Sequence, residues 1–327
     1  MLDPVRALLC RELGPLDGLE VVDTDPPVAG PGQVVVDVVA AGVNYVDGLF
    51  VQGRYQILPP VPFVPGGELA GTVAQVGDGV DGVAVGDRVV ASPGLGAFAE
   101  QVAVPAAAVL PVPDGVDLAV AATMLQSYGT ARFALTRRTA VAPDEWVLVL
   151  GAGGGVGLAA IDVARDLGAR VVAAASSAEK LEAARAAGAD ATIDYTTVDL
   201  KAEVRAITDG GADVVVDPVG GPHAEPALRA TRWLGRYLVI GFAGGGIPAL
   251  PANLVLLNNR TVVGVDWGAW AGRNRAENRE MLLGVLTDVA AGRLRPTAPA
   301  TRPLADAAAA MGDLLERRIT GKVALVP

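Results

Sequence analysis

One stretch constrains the fold more than any other: VLVLGAGGGVGLAAIDVARDLGARVVAAASSAEK, residues 147–180. An apolar run enters a glycine-rich turn, an amphipathic helix follows at once, and a second apolar run returns. Short runs that are apolar on both faces belong to a parallel sheet covered by helices on each side. The same alternation continues through ATIDY, DLKAEVRAIT, ADVVVDPVG, HAEPALRATR, GRYLVIGF and RTVVGVDW. A chain with that rhythm is expected to form a doubly wound, Rossmann-type parallel α/β sheet.

The first third has a different texture. Val-rich runs such as QVVVDVVAAGVN, ELAGTVAQVGDGV, GDRVVASP and FAEQVAVP are separated by Gly, Pro and Asp. They predict a β-rich, partly barrel-like unit, interrupted by a short helix after Asn44. DLAVAATMLQSYGTARFALTRR, with no proline and helical spacing, predicts a long helix or helix pair. Residues 275–320 read as helices, and GKVALVP as a closing strand. The expected domains are 1–122 (β-rich, substrate-binding and catalytic), 123–265 (nucleotide-binding) and 266–327 (a return to the first).

The glycine turn implies a phosphate ligand. Gly151, Gly154, Gly155, Val156 and Gly157 lie between a strand and a helix N-terminus, where a pyrophosphate can meet backbone amides. Against the G-x-G-x-x-G spacing, Gly154 and Gly157 fall in register and Ala152 takes the first slot. An alanine there requires an ordinary negative φ. About 20 residues on, NAD-binding folds place an acid on the ribose hydroxyls. Here that position offers Ser176 and Ser177, with Lys180 one turn later. Hydroxyls and an ammonium suit a 2′-phosphate, so NADPH is expected over NADH. The missing acid also argues against a methyltransferase.

Composition removes other classes. The net charge of −10, with no basic run, disfavours nucleic acid as a partner. The longest uncharged stretch, residues 237–259, is broken by glycines and prolines and cannot make a membrane helix. The amino-terminal segment lacks the pattern of a secretory signal. With a single cysteine, Cys10, expected to be a packed core thiol, a soluble cytoplasmic protein is expected. Zinc needs at least three N, S or O ligands, and one Cys and one His make such a site improbable. The lone His223, beside Pro222, is expected to play a plain surface role.

AAGVNYVDGLFVQGRY, VPFVPGGELAGTV, GDRVV, GAGGGVGLAAI, DPVGG and PANLVLLNNRTVVGVDWGA together resemble the medium-chain dehydrogenase/reductase superfamily along essentially the whole chain. Within it, the chain is similar to the zinc-free NADPH:quinone oxidoreductases of the zeta-crystallin type. The resemblance implies a GroES-like domain before the Rossmann domain. It also implies that Asn44 and Gly67 stand where zinc relatives carry a cysteine and a histidine. By the same resemblance Asn44, Tyr55 and Thr130 meet the nicotinamide, with Tyr128 a weaker match. Gly241, Phe242, Val265, Asp266 and Trp267 flank it. Ser176, Lys180, Tyr195 and Arg318 (or its neighbour Arg317) hold the 2′-phosphate.

Tyr55 is the candidate hydrogen-bond donor to the acceptor, with Asn44 as polariser and Asp47 a cap on the helix behind it. The expected partner is a small apolar electrophile, a quinone. Reduction of enones or enoyl-CoA, and NADPH binding without turnover, stay open beside it. The apolar edge strand RTVVGVDW, which the resembling enzymes pair across a two-fold axis, implies a homodimer.

Overall fold

The computed structural model describes residues 3–327, so residues 1 and 2 of the amino-terminal segment considered above lie outside the described residues. These gather into two compact units. One runs up to Gln126 and takes back Thr297–Pro327; the other is Ser127–Pro296.

In the first unit, β1 (Val5–Leu9) pairs antiparallel with β2 (Glu20–Thr24). β3 (Gln33–Val43) is the spine: Val34, Val35 and Val36 are buried together, Asp37 and Val39 face out, and the strand is buried again from Ala40 to its end. It breaks at Asn44 into α1 (Tyr45–Val51). The expected strands follow as β4 (Glu68–Val76), β5 (Arg88–Ala91) and β6 (Gln101–Pro105). β7 (Val109–Pro111) and α2 (Leu118–Ala121) come next, the helix capped by Asp117 accepting from Ala119 and Val120 N–H. Cys10 is buried and its backbone pairs with Phe63, as expected of a packed thiol.

The segment expected as a long helix or helix pair forms three pieces. After α2 comes α3 (Leu125–Arg132), then a stretch of π-helix, Phe133–Arg138. There Thr139 N–H reaches five residues back to Ala134 O at 3.1 Å. The second unit continues with β8 (Trp146–Leu150), α4 (Gly155–Asp166), β9 (Arg170–Ala175) and α5 (Ala178–Ala186). Next are β10 (Ala191–Asp194), α6 (Leu200–Ile207), β11 (Ala212–Asp217) and α7 (Ala224–Ala230). β12 (Thr231–Val239), α8 (Ala252–Leu256), β13 (Thr261–Gly264), α9 (Trp267–Arg273) and α10 (Arg275–Ala290) complete it. The six strands lie in the order β10-β9-β8-β11-β12-β13, every neighbouring pair parallel. This is the doubly wound arrangement. Strand order reverses between β8 and β11, so the loops leaving these two strands diverge and open a crevice at their carboxyl ends.

Residues 275–320 are not all helical. β14 (Ala300–Pro303) precedes α11 (Ala307–Leu315) and β15 (Val323–Val326). β14 is an outer strand with no apolar run of its own, held by parallel pairing to β15. β15 pairs antiparallel with the end of β3, giving the first unit a sheet ordered β14-β15-β3-β4-β5-β7, with β6 also on β3. No helix among the described residues is long and apolar enough to cross a membrane.

Candidate functional site

In the second unit the crevice is floored by the glycine turn after β8. Gly151 adopts φ +58°, and a Cβ there would stand 2.7 Å from Val219 Cγ2. A Cβ on Gly157 would lie 2.3 Å from Gly151 O and 2.8 Å from Ala152 Cα, both backbone atoms that cannot yield. Ala152 is buried and keeps a negative φ, as the sequence required, because Gly151 makes the left-handed turn. Gly154 is the N-cap of α4 (φ −90°, ψ 168°), and Gly155 and Val156 form the half-exposed first turn. The helix N-terminus, reached through a run of glycines, presents backbone N–H groups of the kind that can hold an anion.

Beside this turn the ends of β9 and β10 lie in register, Ala175 opposite Asp194. Ser176 is exposed there, and Ser177 caps α5, its Oγ accepting from Lys180 N–H at 3.4 Å. The Lys180 stem runs over Gly153: a Cβ on that glycine would come 2.5 Å from Lys180 Cβ and Cγ. Tyr195 N–H donates to Ala175 O (3.2 Å), fixing the tyrosine beside the serines. The Asp194 carboxylate accepts from Thr196 N–H and Oγ1–H, which hold its pKa below the ordinary range. His223 is not simply a surface side chain. It is half-buried at the end of a 3₁₀ turn, its ring 4.1 Å from that of Tyr195.

Asp217 closes the other lip. Buried at the end of β11, it accepts from Val219 and Gly220 N–H, each at 2.8 Å, and from the Tyr237 hydroxyl. Gly241 and half-exposed Phe242 follow β12, with Gly241 N–H bonded to Asp217 O. Val265 is buried after β13, and Asp266 caps α9 by accepting from Ala269 N–H. Trp267 is largely buried against Gly129, its indole N–H donating to Asn278 Oδ1 (2.9 Å). Thr130 is half-buried on α3. Tyr128 is part of a buried knot: its hydroxyl donates to Asp162 (2.8 Å), which also accepts from Arg165 and from Arg295 N–H. Burial and that carboxylate push the Tyr128 hydroxyl pKa well above its usual value.

The first unit holds a buried polar network that the sequence did not reveal. At the end of β3, Asn44 N–H donates to Asp47 Oδ2 (2.7 Å), locking the first turn of α1. Asn44 Nδ2 donates to Glu68 Oε1 (2.9 Å) and towards Gly42 O, while Asn44 Oδ1 accepts from Lys322 Nζ (2.6 Å). Lys322 also donates to Glu68 Oε1 (3.0 Å), and Glu68 Oε2 accepts from Gln126 N–H (2.9 Å). Asp47 and Glu68 are both fully buried. Burial pushes the Asp47 carboxyl up to about 7. Glu68, Gln126 and Lys322 were missed as site residues. A carboxylate inside the otherwise apolar start of β4 was the available signal, since a buried charge demands a partner. Tyr55 is half-buried, its ring edge-on to Phe50 at 5.0 Å. Arg318 pairs with Asp313 (2.6 Å) and Glu316 on and just after α11.

A parallel nucleotide-binding sheet and a β-rich unit that takes back the end of the chain form the architecture of the medium-chain dehydrogenases/reductases. Residues 30–114 match the alcohol dehydrogenase GroES-like domain, and residues 155–283 match the zinc-binding dehydrogenase family. Quinone oxidoreductase-like protein 2 of Bos taurus is 39% identical over 322 residues, covering 98% of this chain and 92% of its own. A quinone oxidoreductase of Pseudomonas syringae superposes with a TM-score of 0.91 at 32% identity, over 99% of this chain and 100% of that one. The Escherichia coli quinone oxidoreductase, solved with NADPH, gives a TM-score of 0.91 at 27% identity, over 98% and 100% of the two chains. The chain belongs to the quinone oxidoreductase family within the medium-chain dehydrogenases/reductases.

Proposed function

We propose that this protein is an NADPH-dependent oxidoreductase that reduces a quinone without a metal. The observation that carries the reading is the glycine turn after β8, with two serines and a lysine, and no ribose-binding acid, at the end of β9. Gly151, Gly154, Gly155, Val156 and Gly157 would hold the pyrophosphate, and Ser176, Lys180 and Tyr195 the 2′-phosphate, with Arg318 a further candidate. Thr130, Gly241, Phe242, Val265, Asp266 and Trp267 are assigned to the nicotinamide, and Asn44 and Tyr55 to the acceptor. When bound, the cofactor supplies the hydride; the chain's task is to orient the partners and exclude water. The residues present do not fit zinc: no group of three His, Cys, Asp or Glu among the described residues is placed to hold a metal. By the family resemblance Asn44 and Gly67 stand where zinc relatives have ligands, and Cys10 is packed in the core.

The acceptor is expected to be small and apolar, consistent with exposed Ile57 and Leu58 on the loop after Tyr55. A cytoplasmic homodimer completes the reading. β13 is a sheet edge, and Trp233, Leu234, Leu256 and Leu257 leave apolar surface around it, each more than half exposed. The test follows loss of reduced nicotinamide with NADPH and NADH against a quinone, a simple enone and an enoyl-CoA, with and without chelator. Faster quinone turnover with NADPH, indifferent to chelator, supports the reading. Turnover of the enone or thioester alone transfers the chain to alkene reduction. Tight NADPH binding with nothing consumed makes it a binding protein, and loss of rate with chelator ends the metal-free assignment.

A further inference from the structure

The network in the first unit leaves one polar atom poorly satisfied. Asp47 is fully buried, and its Oδ2 is taken by Asn44 N–H, yet its Oδ1 makes no well-formed hydrogen bond and feels only the nearby Gly67 amide. A poorly paired buried carboxyl oxygen costs stability, and such groups persist where they have work to do. This one points at Gly67. A Cβ placed on that glycine would lie 3.5 Å from Asp47 Oδ1, 3.2 Å from Gln126 Nε2 and 3.6 Å from Gly94 O. Three polar groups from α1, the start of α3 and the loop after β5 therefore converge where the chain has withheld a side chain. Gly67 itself is not forced to be glycine by its backbone, since its φ is outside the positive range.

We propose that Asp47 is the proton donor of the reduction, and that Gly67 is bare so that an acceptor oxygen can be drawn in between Asp47 Oδ1 and Gln126 Nε2. This rests on the oxidoreductase reading above. An acceptor that has gained a hydride carries the new electron pair on its oxygen, as a hydroquinone anion or an enolate. Gln126 Nε2–H hydrogen-bonds to that oxygen, and the Oδ1–H bond of Asp47 breaks as the new O–H bond forms. The carboxylate left behind regains its proton from solvent. Four groups bear on the charge of Asp47. The Lys322 ammonium and the Asn44 and Gly67 amides favour the carboxylate, and the Glu68 carboxylate favours the acid. Burial outweighs the first three and keeps the carboxyl protonated up to about pH 7. A carboxylic acid kept neutral by its surroundings is a recognised way to hold a hydrogen-bond donor against a developing oxyanion.

The test compares wild type, Asp47→Asn and Gly67→Ala. Asparagine keeps an oxygen for the Asn44 cap but has no acidic proton. Enone and quinone reduction are followed from about pH 5 to about pH 9, with NADPH dissociation constants measured separately by fluorescence. In wild type the enone kcat is level at low pH and falls about tenfold per unit above about pH 7. Asp47→Asn loses that break and about 100-fold in enone kcat, while NADPH binding is unchanged. Gly67→Ala slows the enone similarly but keeps the break. A second readout needs no turnover. Asp47 is charged when unfolded but protonated in the fold between its ordinary value and about 7, so wild-type stability declines across that range and levels above it. The unfolding midpoint of Asp47→Asn should therefore rise relative to wild type between about pH 5 and about pH 7. An Asp47→Asn enzyme with wild-type rate and break, or a midpoint difference flat with pH, overturns the proposal. Failure of wild type to bind or oxidise NADPH overturns it too, and is told apart because it appears before any substitution.

Discussion

At the scale of single residues, Lys180 and Tyr55 carry the sharpest consequences. Lys180 lies over Gly153 beside two serines, and its ammonium is proposed to meet the 2′-phosphate that NADH lacks. Lys180→Ala should weaken NADPH binding about 10-fold to 100-fold and leave NADH nearly unchanged, as read by isothermal titration. An equal loss for both cofactors would move the phosphate site elsewhere. Tyr55→Phe removes a hydroxyl while keeping the ring against Phe50. If that hydroxyl steadies an enolate, enone turnover should fall at least about tenfold and quinone turnover less. The placement of Ser176 and Lys180 at the end of β9 and in the first turn of α5 was legible, because helix capping and strand order put them one turn apart. The Asn44–Glu68–Lys322 network was not: Lys322 and Glu68 are separated by 254 residues, and no local pattern ties them.

Among elements, the strand–turn–helix from β8 to α4 is the best determined by its own residues. Gly157→Ala should fail at the level of the whole element, because the methyl would meet the Gly151 carbonyl at 2.3 Å. Opening that contact shifts α4 off the sheet. A loss of about 1–3 kcal/mol in chemical denaturation, together with weakened binding of both NADPH and NADH, is expected. Strands buried on both faces, such as β8, β9 and β11, could be read directly from their Val and Ala runs. β14 could not, since ATRP has no apolar periodicity and becomes a strand only through its pairing with β15. The π-helical stretch after α3 was equally hidden. Its register depends on a hydrogen bond to Ala134 rather than on any residue type that announces it.

For the whole molecule, the apolar surroundings of β13 predict association. Leu257→Glu, on a side chain already exposed in the single chain, should leave folding intact and convert the proposed dimer to a monomer by light scattering. An unchanged mass would place the contact elsewhere. The pairing of β15 with β3 has a consequence for synthesis. Residues 127–296 contain all six strands of the parallel sheet and can complete it while the chain is still emerging. The first unit cannot, although most of it is made earlier. Until residue 322 leaves the ribosome, Asn44 and Glu68 lack their ammonium and the end of β3 lacks its β15 neighbour. The amino-terminal unit must wait for Lys322 and β15. A nascent protein stalled near residue 300 would present a finished nucleotide-binding sheet beside an unfinished partner, open to proteases and to strand exchange.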